Sequence, residues 1–335
     1  MSDDNGSSFK VNLKELAKDR KELLAPGHRL CAGCGPSIAV REILKATRGP
    51  TMVVNATGCL EVATTIYPFT AWNLPWAHAA FECAGALAGG VESALKAMAK
   101  KTGSDKKVDI IAFGGDGGTF DIGIQSLSGA LERGHDFVYV CYDNEAYMNT
   151  GIQRSGATPH GAATTTSPAG KVIPGKTQFK KDFIKICAAH GIDYVATGAP
   201  HLWNDLITKA RKAIEVEGPA VLHVLAPCPR GWRFDPADTI AMSRLAVKTR
   251  VFPIYEIDHG VWRLNAEVKE PLPVEEYLKA QGRFKHLFSN EFRHEIKRIQ
   301  DDVDRHYNDI VRMCECTGGM PPTKSPPSSL PLSTK

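Results

Sequence analysis

A glycine-rich turn with a single carboxylate follows an apolar run in this sequence. The stretch AFGGDGGTFDIG places Asp116 between paired glycines, where a predicted strand ends and a predicted helix begins. Glycines let the backbone approach an anion closely, and the N–H groups at a helix N-terminus favour phosphate. The next predicted strand ends in YDNEAYMNTG, which adds the amide of Asn144 and the polar groups of Asn149 and Thr150. A carboxylate and an amide oxygen beside such a turn predict a site for Mg²⁺ and a diphosphate.

Four of the nine cysteines could hold a second inorganic centre. Cys31 and Cys34 form a C-x-x-C pair, Cys59 follows the run TMVVNAT, and Cys228 ends the run AVLHVLAP. Four such thiolates can bind tetrahedral Zn²⁺ or a 4Fe–4S cluster, and their spacing alone does not choose between the two. A metal-free dithiol switch is a third interpretation, although C-x-x-C pairs of that kind usually stand alone.

Both groups of residues need a scaffold that brings distant segments together. Apolar runs that predict strands alternate with helical patterns, and the runs lie at 51–57, 108–115, 137–144, 193–198 and 220–228. The small-residue stretch 78–101 predicts a long helix or a pair of helices. This alternation predicts an α/β fold with a doubly wound, mostly parallel sheet that is covered on both faces. Because ligands bind at the carboxyl edge of such sheets, Cys59, Asp116, Asn144 and Cys228 are predicted to share one rim.

The chain divides into four predicted regions. Residues 1–27 form an N-terminal arm, and residues 28–250 form the α/β domain that carries both predicted sites. Residues 251–316 are predicted to be a helical C-terminal extension, and the Pro/Ser-rich residues 317–335 a disordered tail. Inside the α/β domain, residues 153–181 have almost no large apolar side chains and no periodicity. A structureless segment of this length in a compact domain is more often functional than idle.

Composition excludes several classes of protein. The chain has 335 residues, with 41 Lys and Arg against 37 Asp and Glu, and this mild positive balance gives no argument for nucleic acid. No apolar run is long enough to span a membrane, and the polar start MSDDNGSSFK does not resemble a signal peptide. An odd number of scattered cysteines argues against a disulfide framework. We therefore expect a cytoplasmic protein whose thiols are reduced or bind metal.

The sequence resembles a known family in these same stretches. A GDG followed by an Asn at the end of the next strand is the thiamine diphosphate–magnesium motif. In detail, GGDGGTFDIG with YDNEAYMNTGIQRSGATPHGAATTTSPAGK resembles the beta subunits of pyruvate:ferredoxin oxidoreductase (pyruvate synthase), within the 2-oxoacid:ferredoxin oxidoreductases. The resemblance runs from about Leu24 to Trp232. It implies the sheet of the thiamine diphosphate-binding, diphosphate-domain type.

The resemblance also assigns residues to roles. It implies that Mg²⁺ is bound by Asp116, Asn144 and the backbone carbonyl oxygen of Ala146, and it places Asn149 near the reacting thiazolium carbon. With Thr150, Asn149 forms the predicted catalytic pair. The predicted cofactor contacts are Gly58, Cys59, Gly115, Asp116, Gly117, Gly118, Thr119, Asn144, Ala146, Tyr147 and Asn149. The resemblance further implies that Cys31, Cys34, Cys59 and Cys228 bind a 4Fe–4S cluster next to the thiamine.

The function implied is oxidative decarboxylation of pyruvate with coenzyme A to acetyl-CoA and CO₂. Electrons would pass from thiamine diphosphate to the cluster and on to ferredoxin, in a reversible reaction. Because the single predicted sheet is already assigned, the glutamate that activates the thiamine pyrimidine is expected on an alpha subunit. Gamma and delta (ferredoxin-like) subunits, or their fusion, would complete the complex.

Other interpretations stay open at the level of sequence. An isolated GGDGG could be only a tight turn with Asp116 as a helix cap, although Asn144 at the next strand end argues against this. The chain could be a non-redox thiamine diphosphate decarboxylase subunit or a zinc-stabilised scaffold without turnover. The same chemistry could also act on a branched-chain, aryl or oxalate-type 2-oxoacid.

Overall fold

The computed structural model of the chain describes residues 11–18, 21–47, 49–104 and 106–319. Within these residues, eight strands form one sheet. The strands are β1 (Thr51–Ala56), β2 (Trp76–Ala79), β3 (Asp109–Gly115), β4 (Val138–Asp143), β5 (Tyr194–Gly198), β6 (Ala220–Leu225), β7 (Tyr255–Asp258) and β8 (Val261–Leu264). Across the sheet their order is β2-β1-β3-β4-β6-β5-β7-β8. The six strands from β2 to β5 in this order pair in parallel, and β7 pairs in antiparallel fashion with both β5 and β8.

Helices connect these strands and cover the sheet. They are α1 (Leu13–Lys18), α2 (Gly35–Leu44), α3 (Cys59–Thr64), α4 (Ala84–Thr102), α5 (Ile124–Glu132), α6 (Phe183–Ala188), α7 (Trp203–Glu215), α8 (Pro229–Trp232), α9 (Thr239–Lys248), α10 (Val274–Lys279) and α11 (Arg293–Cys316). A π-helical turn covers Gly118–Ile122, and 3₁₀ turns cover Pro200–Leu202, Pro236–Asp238 and Gly282–Phe288.

Each face of the sheet packs against its own layer of helices. Along β3, Ile110 and Ala112 belong to the core on one face, whereas Ile111 and Phe113 belong to the core on the other. Such strict alternation of buried apolar residues is what a strand covered on both faces requires. A third apolar cluster, which includes Trp232 and Phe284, joins the C-terminal region to the sheet. The predicted doubly wound, mostly parallel α/β fold is confirmed.

The parallel strands end together at one edge of the sheet. Gly115 at the end of β3 pairs with Tyr142 of β4, and Asp143 at the end of β4 pairs with Leu225 of β6. The residues that follow β1, β3, β4 and β6 therefore form a continuous rim, as the order of predicted strands required.

Two parts of the predicted element pattern were incomplete. The stretch 78–101 was expected to be entirely helical, but its first residues belong to β2, and α4 begins only at Ala84. Strand β2 has four residues at the edge of the sheet, too few to show a periodic pattern. The segment 251–316 was expected to be helical, but it begins with the hairpin of β7 and β8. This hairpin extends the same sheet across the predicted boundary at residue 250. Most of the predicted tail, from residue 320 onward, lies outside the described residues, as do residues 1–10 of the predicted arm.

Candidate functional site

A buried carboxylate lies at the centre of the rim. Asp116 follows the last residue of β3 and is fully buried. Its Oδ2 accepts a hydrogen bond from the hydroxyl of Ser155 at 2.5 Å. Burial raises the pKa of Asp116 well above its usual value of 3.8, and the negative charge of Asp143 raises it further. A carboxylate in this position gains stability from any cation placed beside it.

Two oxygen-bearing groups lie beside this carboxylate. One terminal atom of the Asn144 amide lies 2.9 Å from the carbonyl oxygen of Ala146 and 3.0 Å from Oδ1 of Asp116. With its nitrogen at this position the amide donates to both neighbours, and rotation of the amide would instead present its oxygen, as binding of a cation requires. Carboxylate, amide and carbonyl oxygens are the ligands that Mg²⁺ prefers. The donor set therefore fits the ion predicted from the sequence.

The turn that carries these groups has an unusual backbone. Glu145 lies between Asn144 and Ala146 with φ of 67°, a left-handed conformation that non-glycine residues rarely adopt. The backbone N–H of Glu145 donates to Oδ1 of Asp143 at 2.9 Å. The buried Glu145 carboxylate pairs with Lys180 and with Arg283. The left-handed residue turns the amide of Asn144 and the carbonyl of Ala146 towards Asp116, while its own side chain is held by two cations.

A cluster of buried charges supports this turn from beneath. Asp143 pairs with Lys180, and its Oδ2 lies 2.7 Å from Nε2 of His223. Burial alone would raise the pKa of Asp143, but Lys180 and His223 outweigh burial and lower the pKa to about 2. Asp143 therefore stays ionised while the neighbouring Asp116 resists ionisation. The different pKa shifts of the two carboxyl groups come from the position of Lys180, which pairs directly only with Asp143 of the two.

A pocket of about 140 Å³ opens beside the turn. Its lining includes ten residues that the sequence predicted to contact the cofactor or to act in catalysis: Gly58, Cys59, Gly115, Gly117, Gly118, Asn144, Ala146, Tyr147, Asn149 and Thr150. Phe81, Tyr142 and Met148 also line it. The structure therefore brings the predicted set together at one place on the rim.

The glycines of the turn are required by close packing. A Cβ on Gly117 would lie 2.5 Å from the ring of Tyr147, and a Cβ on Gly118 would lie 2.9 Å from the carbonyl oxygen of Phe81. A Cβ on Gly58 would lie 2.7 Å from the hydroxyl of Tyr142. No side chain fits at these three positions, so bare backbone forms this part of the pocket wall.

Two predicted residues have side chains with other partners. The buried hydroxyl of Thr119 donates to the carbonyl oxygen of Gly115 at 2.7 Å and lies 3.0 Å from the hydroxyl of Tyr139. Only the main chain of Thr119 is left for a ligand. The hydroxyl of Thr150 donates to Oε1 of Gln153 at 2.5 Å, whereas Asn149 is exposed at the mouth of the pocket.

The four predicted cysteine ligands come from three loops that meet at the same rim. The N–H of Gly35, next to Cys34, donates to the carbonyl oxygen of Pro227, next to Cys228, at 3.0 Å. The two loops pack so closely that a Cβ on Gly35 would lie 2.6 Å from that same oxygen. Cys59 is the first residue of α3 and also lines the pocket.

The four thiols influence one another electrostatically. Burial, with smaller contributions from Cys228, Cys34 and Cys31, raises the pKa of Cys59 to about 12. Burial, with smaller contributions from Cys228 and Cys31, likewise raises the pKa of Cys34 to about 12. Within the described ranges, no three His, Cys, Asp or Glu side chains are close enough together to hold a single metal ion. The thiols are thus gathered at one rim without converging on a single point.

Direct contacts join the cysteine loops to the turn formed by Asn144, Glu145 and Ala146. The indole N–H of Trp232, at the end of the helix that follows Cys228, donates to the carbonyl oxygen of Asn144 at 2.7 Å. The side chain of Met148 packs against the backbone of Gly231 in the same helix. The two predicted sites therefore share structural elements as well as a rim.

Several residues of the site were not singled out from the sequence. Ser155 lies in the irregular segment 153–181, whose lack of apolar residues had marked it as functional. The hydroxyl of Tyr142 is buried and has no hydrogen-bond partner among the described residues. Trp232 lay at the end of the recognised stretch, and Arg283 lies far outside it. No local pattern marks Arg283, because its partner Glu145 is distant in sequence.

Comparison with known proteins gives consistent results. The family described as "Thiamine pyrophosphate enzyme, C-terminal TPP binding domain" matches residues 56–224. The chain is 54% identical to pyruvate synthase subunit PorB of Methanocaldococcus jannaschii over 287 residues, which cover 85% of this chain and 95% of the relative. It is 49% identical to the corresponding subunit of Thermotoga maritima, over 93% of this chain and 99% of the relative.

Among solved structures, a chain of 2-oxoglutarate:ferredoxin oxidoreductase from Magnetococcus marinus is similar in fold. The TM-score is 0.51 at 20% sequence identity, and the match covers 64% of this chain and 76% of that one. In the described part of the chain, no helix is long and apolar enough to cross a membrane.

Proposed function

The chain belongs to the thiamine diphosphate-binding family of pyruvate synthase beta subunits, and we propose that it catalyses oxidative decarboxylation of a 2-oxoacid, with pyruvate as the favoured substrate. With coenzyme A, pyruvate would give acetyl-CoA and CO₂, and an electron pair would leave through ferredoxin. One observation carries the redox part of this proposal. Cys59 lines the diphosphate pocket and is electrostatically coupled to the three other rim cysteines.

Thiamine diphosphate would be held by the pocket between β3 and β4. We assign Mg²⁺ to Asp116, Asn144 and the carbonyl oxygen of Ala146, because one terminal atom of the Asn144 amide lies within 3.0 Å of both other groups. The diphosphate would lie against the backbone of Gly115, Gly117 and Gly118, which line the pocket. The bound cofactor supplies the carbon nucleophile and the electron sink for decarboxylation, and the protein supplies its orientation.

The proposed 4Fe–4S cluster would be bound by Cys31, Cys34, Cys59 and Cys228. Four deprotonated thiolates at one rim would repel one another, and burial together with this repulsion raises the pKa values of Cys34, Cys59 and Cys228. A cationic iron–sulfur core offsets this repulsion. A redox centre beside the cofactor pocket also has a direct use in the reaction, whereas zinc has none.

The residues of the chain then perform three separate tasks. Ser155 orients the Asp116 carboxylate, so that one oxygen stays free for the metal. Asn149 stands exposed at the mouth of the pocket, where its amide could donate to an oxygen of the substrate as negative charge develops there. Thr150 is hydrogen-bonded to Gln153, and this contact fixes the backbone next to Asn149.

The naming of the relatives as subunits places the chain in a multi-subunit enzyme. We propose that an alpha subunit supplies the pyrimidine-binding glutamate, and that gamma and delta subunits, or their fusion, carry electrons to ferredoxin. Two aromatic side chains in the loop after α3 support burial by a partner. Tyr67 is 94% exposed and Phe69 is 77% exposed, and exposed rings this near each other in sequence are typical of a surface that a partner covers.

The metal content of the anaerobically purified complex tests the proposal. We expect the Cys59→Ser complex to contain about four fewer irons per chain than the wild-type complex, together with a weaker broad visible absorption. Zinc in place of this iron would identify a structural metal and overturn the redox assignment. Assay of the wild-type complex against a panel of 2-oxoacids with coenzyme A identifies the substrate. Decarboxylation without reduction of ferredoxin would favour a non-redox decarboxylase instead.

A further inference from the structure

Arg283, a buried arginine of the C-terminal segment, lies between the proposed magnesium site and the proposed cluster site. Arg283 lies in the 3₁₀ turn Gly282–Phe288 and is only 2% exposed. Its guanidinium pairs with the carboxylate of Glu145. It also stacks over the ring of Trp232, with 4.3 Å between the guanidinium carbon and the ring centroid. A further hydrogen bond of 2.9 Å from Nε to Oε1 of Gln281 fixes its orientation.

These contacts close a ring of interactions. Glu145 is the left-handed residue between the two proposed magnesium ligands Asn144 and Ala146. Trp232, the other partner of Arg283, returns to the same turn through its hydrogen bond to the carbonyl oxygen of Asn144. Arg283 therefore contacts two parts of the site. Through Glu145 it contacts the turn that carries Asn144 and Ala146, and through Trp232 it contacts α8, the helix after Cys228.

A second cation near Glu145 does not duplicate this role. Lys180 donates to Oε1 of Glu145 at 3.2 Å, but it also pairs with Asp143 beneath the turn. Arg283 has the planar fork that can bind a carboxylate and stack on an indole at the same time. The stacking contact with Trp232, four residues after Cys228, places the charge of Arg283 near this proposed cluster ligand, whereas Lys180 pairs with Asp143 and Glu145.

We propose that Arg283 is a positioning residue that couples the magnesium-binding turn to the cluster ligand Cys228 and favours the reduced state of the cluster. This inference rests on the proposed function. Reduction adds one electron to the cluster, supplied by the substrate during turnover and by dithionite in a titration. A fixed cation beside a cluster ligand stabilises the added negative charge and so raises the reduction potential.

Two variants separate the positioning role from the charge. Arg283→Met removes both the positive charge and the planar guanidinium group, whereas Arg283→Lys keeps the charge and removes the planar group. Lys209→Met serves as the control, because Lys209 is an equally buried cation that pairs with Asp205 on α7, away from both sites. All complexes are purified anaerobically. Binding of thiamine diphosphate with Mg²⁺ is measured by calorimetry, and the cluster potential by redox titration monitored by EPR. The signal that disappears in the Cys59→Ser complex identifies the cluster of this chain.

We expect both Arg283 variants to bind thiamine diphosphate about 10- to 100-fold more weakly, because the turn that carries the proposed ligands Asn144 and Ala146 loses a supporting contact, and loss of such outer contacts weakens metal sites by this amount. Only Arg283→Met should shift the cluster to a more negative potential, while Arg283→Lys should stay close to wild type. Lys209→Met should change neither quantity. Wild-type affinity in Arg283→Lys or an unchanged potential in Arg283→Met would overturn this inference and leave the proposed function intact. If the Cys59→Ser complex keeps every EPR signal of the wild-type complex, the proposed function is overturned and this inference with it.

Discussion

The hydroxyl of Ser155 donates a hydrogen bond of 2.5 Å to Oδ2 of Asp116, and both residues are buried. The same Ser155 hydroxyl accepts from the N–H of Ala157 at 3.1 Å, so its proton is directed at the carboxylate. One oxygen of Asp116 is thereby occupied, and the other, Oδ1, faces Asn144. An irregular segment thus sets the orientation of a proposed metal ligand that lies on a strand end.

We predict that Ser155→Ala weakens binding of Mg²⁺ and thiamine diphosphate about 10- to 100-fold, the usual cost of losing a hydrogen bond to a metal ligand. Without the hydroxyl, the carboxylate loses its fixed orientation, and its unpaired oxygen stays buried. Calorimetric titration of the complex measures the effect. Ser167→Ala, in the same irregular segment, is the control and should bind as wild type does. Equal affinity of Ser155→Ala and wild type would show that the hydrogen bond does not orient a ligand.

Asp116→Ala should abolish thiamine diphosphate binding and leave the iron content of the complex largely unchanged. The contacts of the Asp116 carboxylate are with Ser155 and Asn144, whereas the cysteine loops rest on one another through Gly35 and Pro227. Iron analysis and cofactor titration of the same preparation check both halves of the prediction. Asp136→Ala, on the partly exposed loop before β4, provides the comparison. Simultaneous loss of iron and cofactor in Asp116→Ala would show that the two sites are not separable.

The hydroxyl of Tyr142 leads to a third prediction. It is buried without a partner in the described residues, and it lies between Gly58 and Gly115, which precede Cys59 and Asp116. A buried hydroxyl without a partner costs about 1–3 kcal/mol, so we expect a bound group to accept its proton.

Tyr142→Phe removes only this hydroxyl and should weaken thiamine diphosphate binding about 10- to 100-fold, because a hydrogen bond to a charged acceptor is worth about 1.5–3 kcal/mol. Calorimetry of the complex provides the measurement. Tyr139→Phe, whose hydroxyl contacts Thr119 inside the core, is the matched control and should have a smaller effect. Tighter or unchanged binding by Tyr142→Phe would exclude a role for the hydroxyl in cofactor binding.

Sequence patterns were sufficient for the parts of the site that depend on local order. The predicted strands placed Asp116, Asn144, Cys59 and Cys228 at one edge, because a parallel sheet leaves no other place for their strand ends. The fold class, the family and the gathering of the predicted pocket residues all agree with the structure and the comparisons. The roles of the individual residues stay predictions.

The missing parts depend on contacts that no local pattern encodes. Arg283 reaches Glu145 from a distant segment, and a buried arginine in a short 3₁₀ turn has no periodicity to reveal it. Strand β2 is too short to show a periodic sequence pattern. The hairpin of β7 and β8 joins the sheet by antiparallel pairing, which an alternation of strands and helices does not predict. Such features follow from packing, so a sequence alone identifies them only through homologues.

The last prediction concerns pH and a residue far from the cofactor. Burial raises the pKa of Glu42 on α2 and the nearby Arg41 lowers it by less, so that the pKa moves from 4.5 to about 8. Its Oε2 has no hydrogen-bond partner in the described ranges. Between these pH values the folded chain keeps a proton that the unfolded chain has lost. The free energy of unfolding therefore falls as the pH rises through this window, by about 1.4 kcal/mol per unit of pKa shift.

Glu42→Gln should remove this dependence, because glutamine resembles the protonated carboxyl at every pH. We expect the variant to match wild type near about pH 4 and to be more stable by about 4–5 kcal/mol near about pH 9. Denaturant unfolding at both pH values measures the difference. Glu22→Gln tests the sign: its hydrogen bond to Arg41 lowers the pKa of Glu22, so this variant should lose stability at neutral pH, by less than about 1 kcal/mol for an exposed pair. A Glu42→Gln variant whose advantage does not grow with pH would show that the folded chain holds no proton at this site.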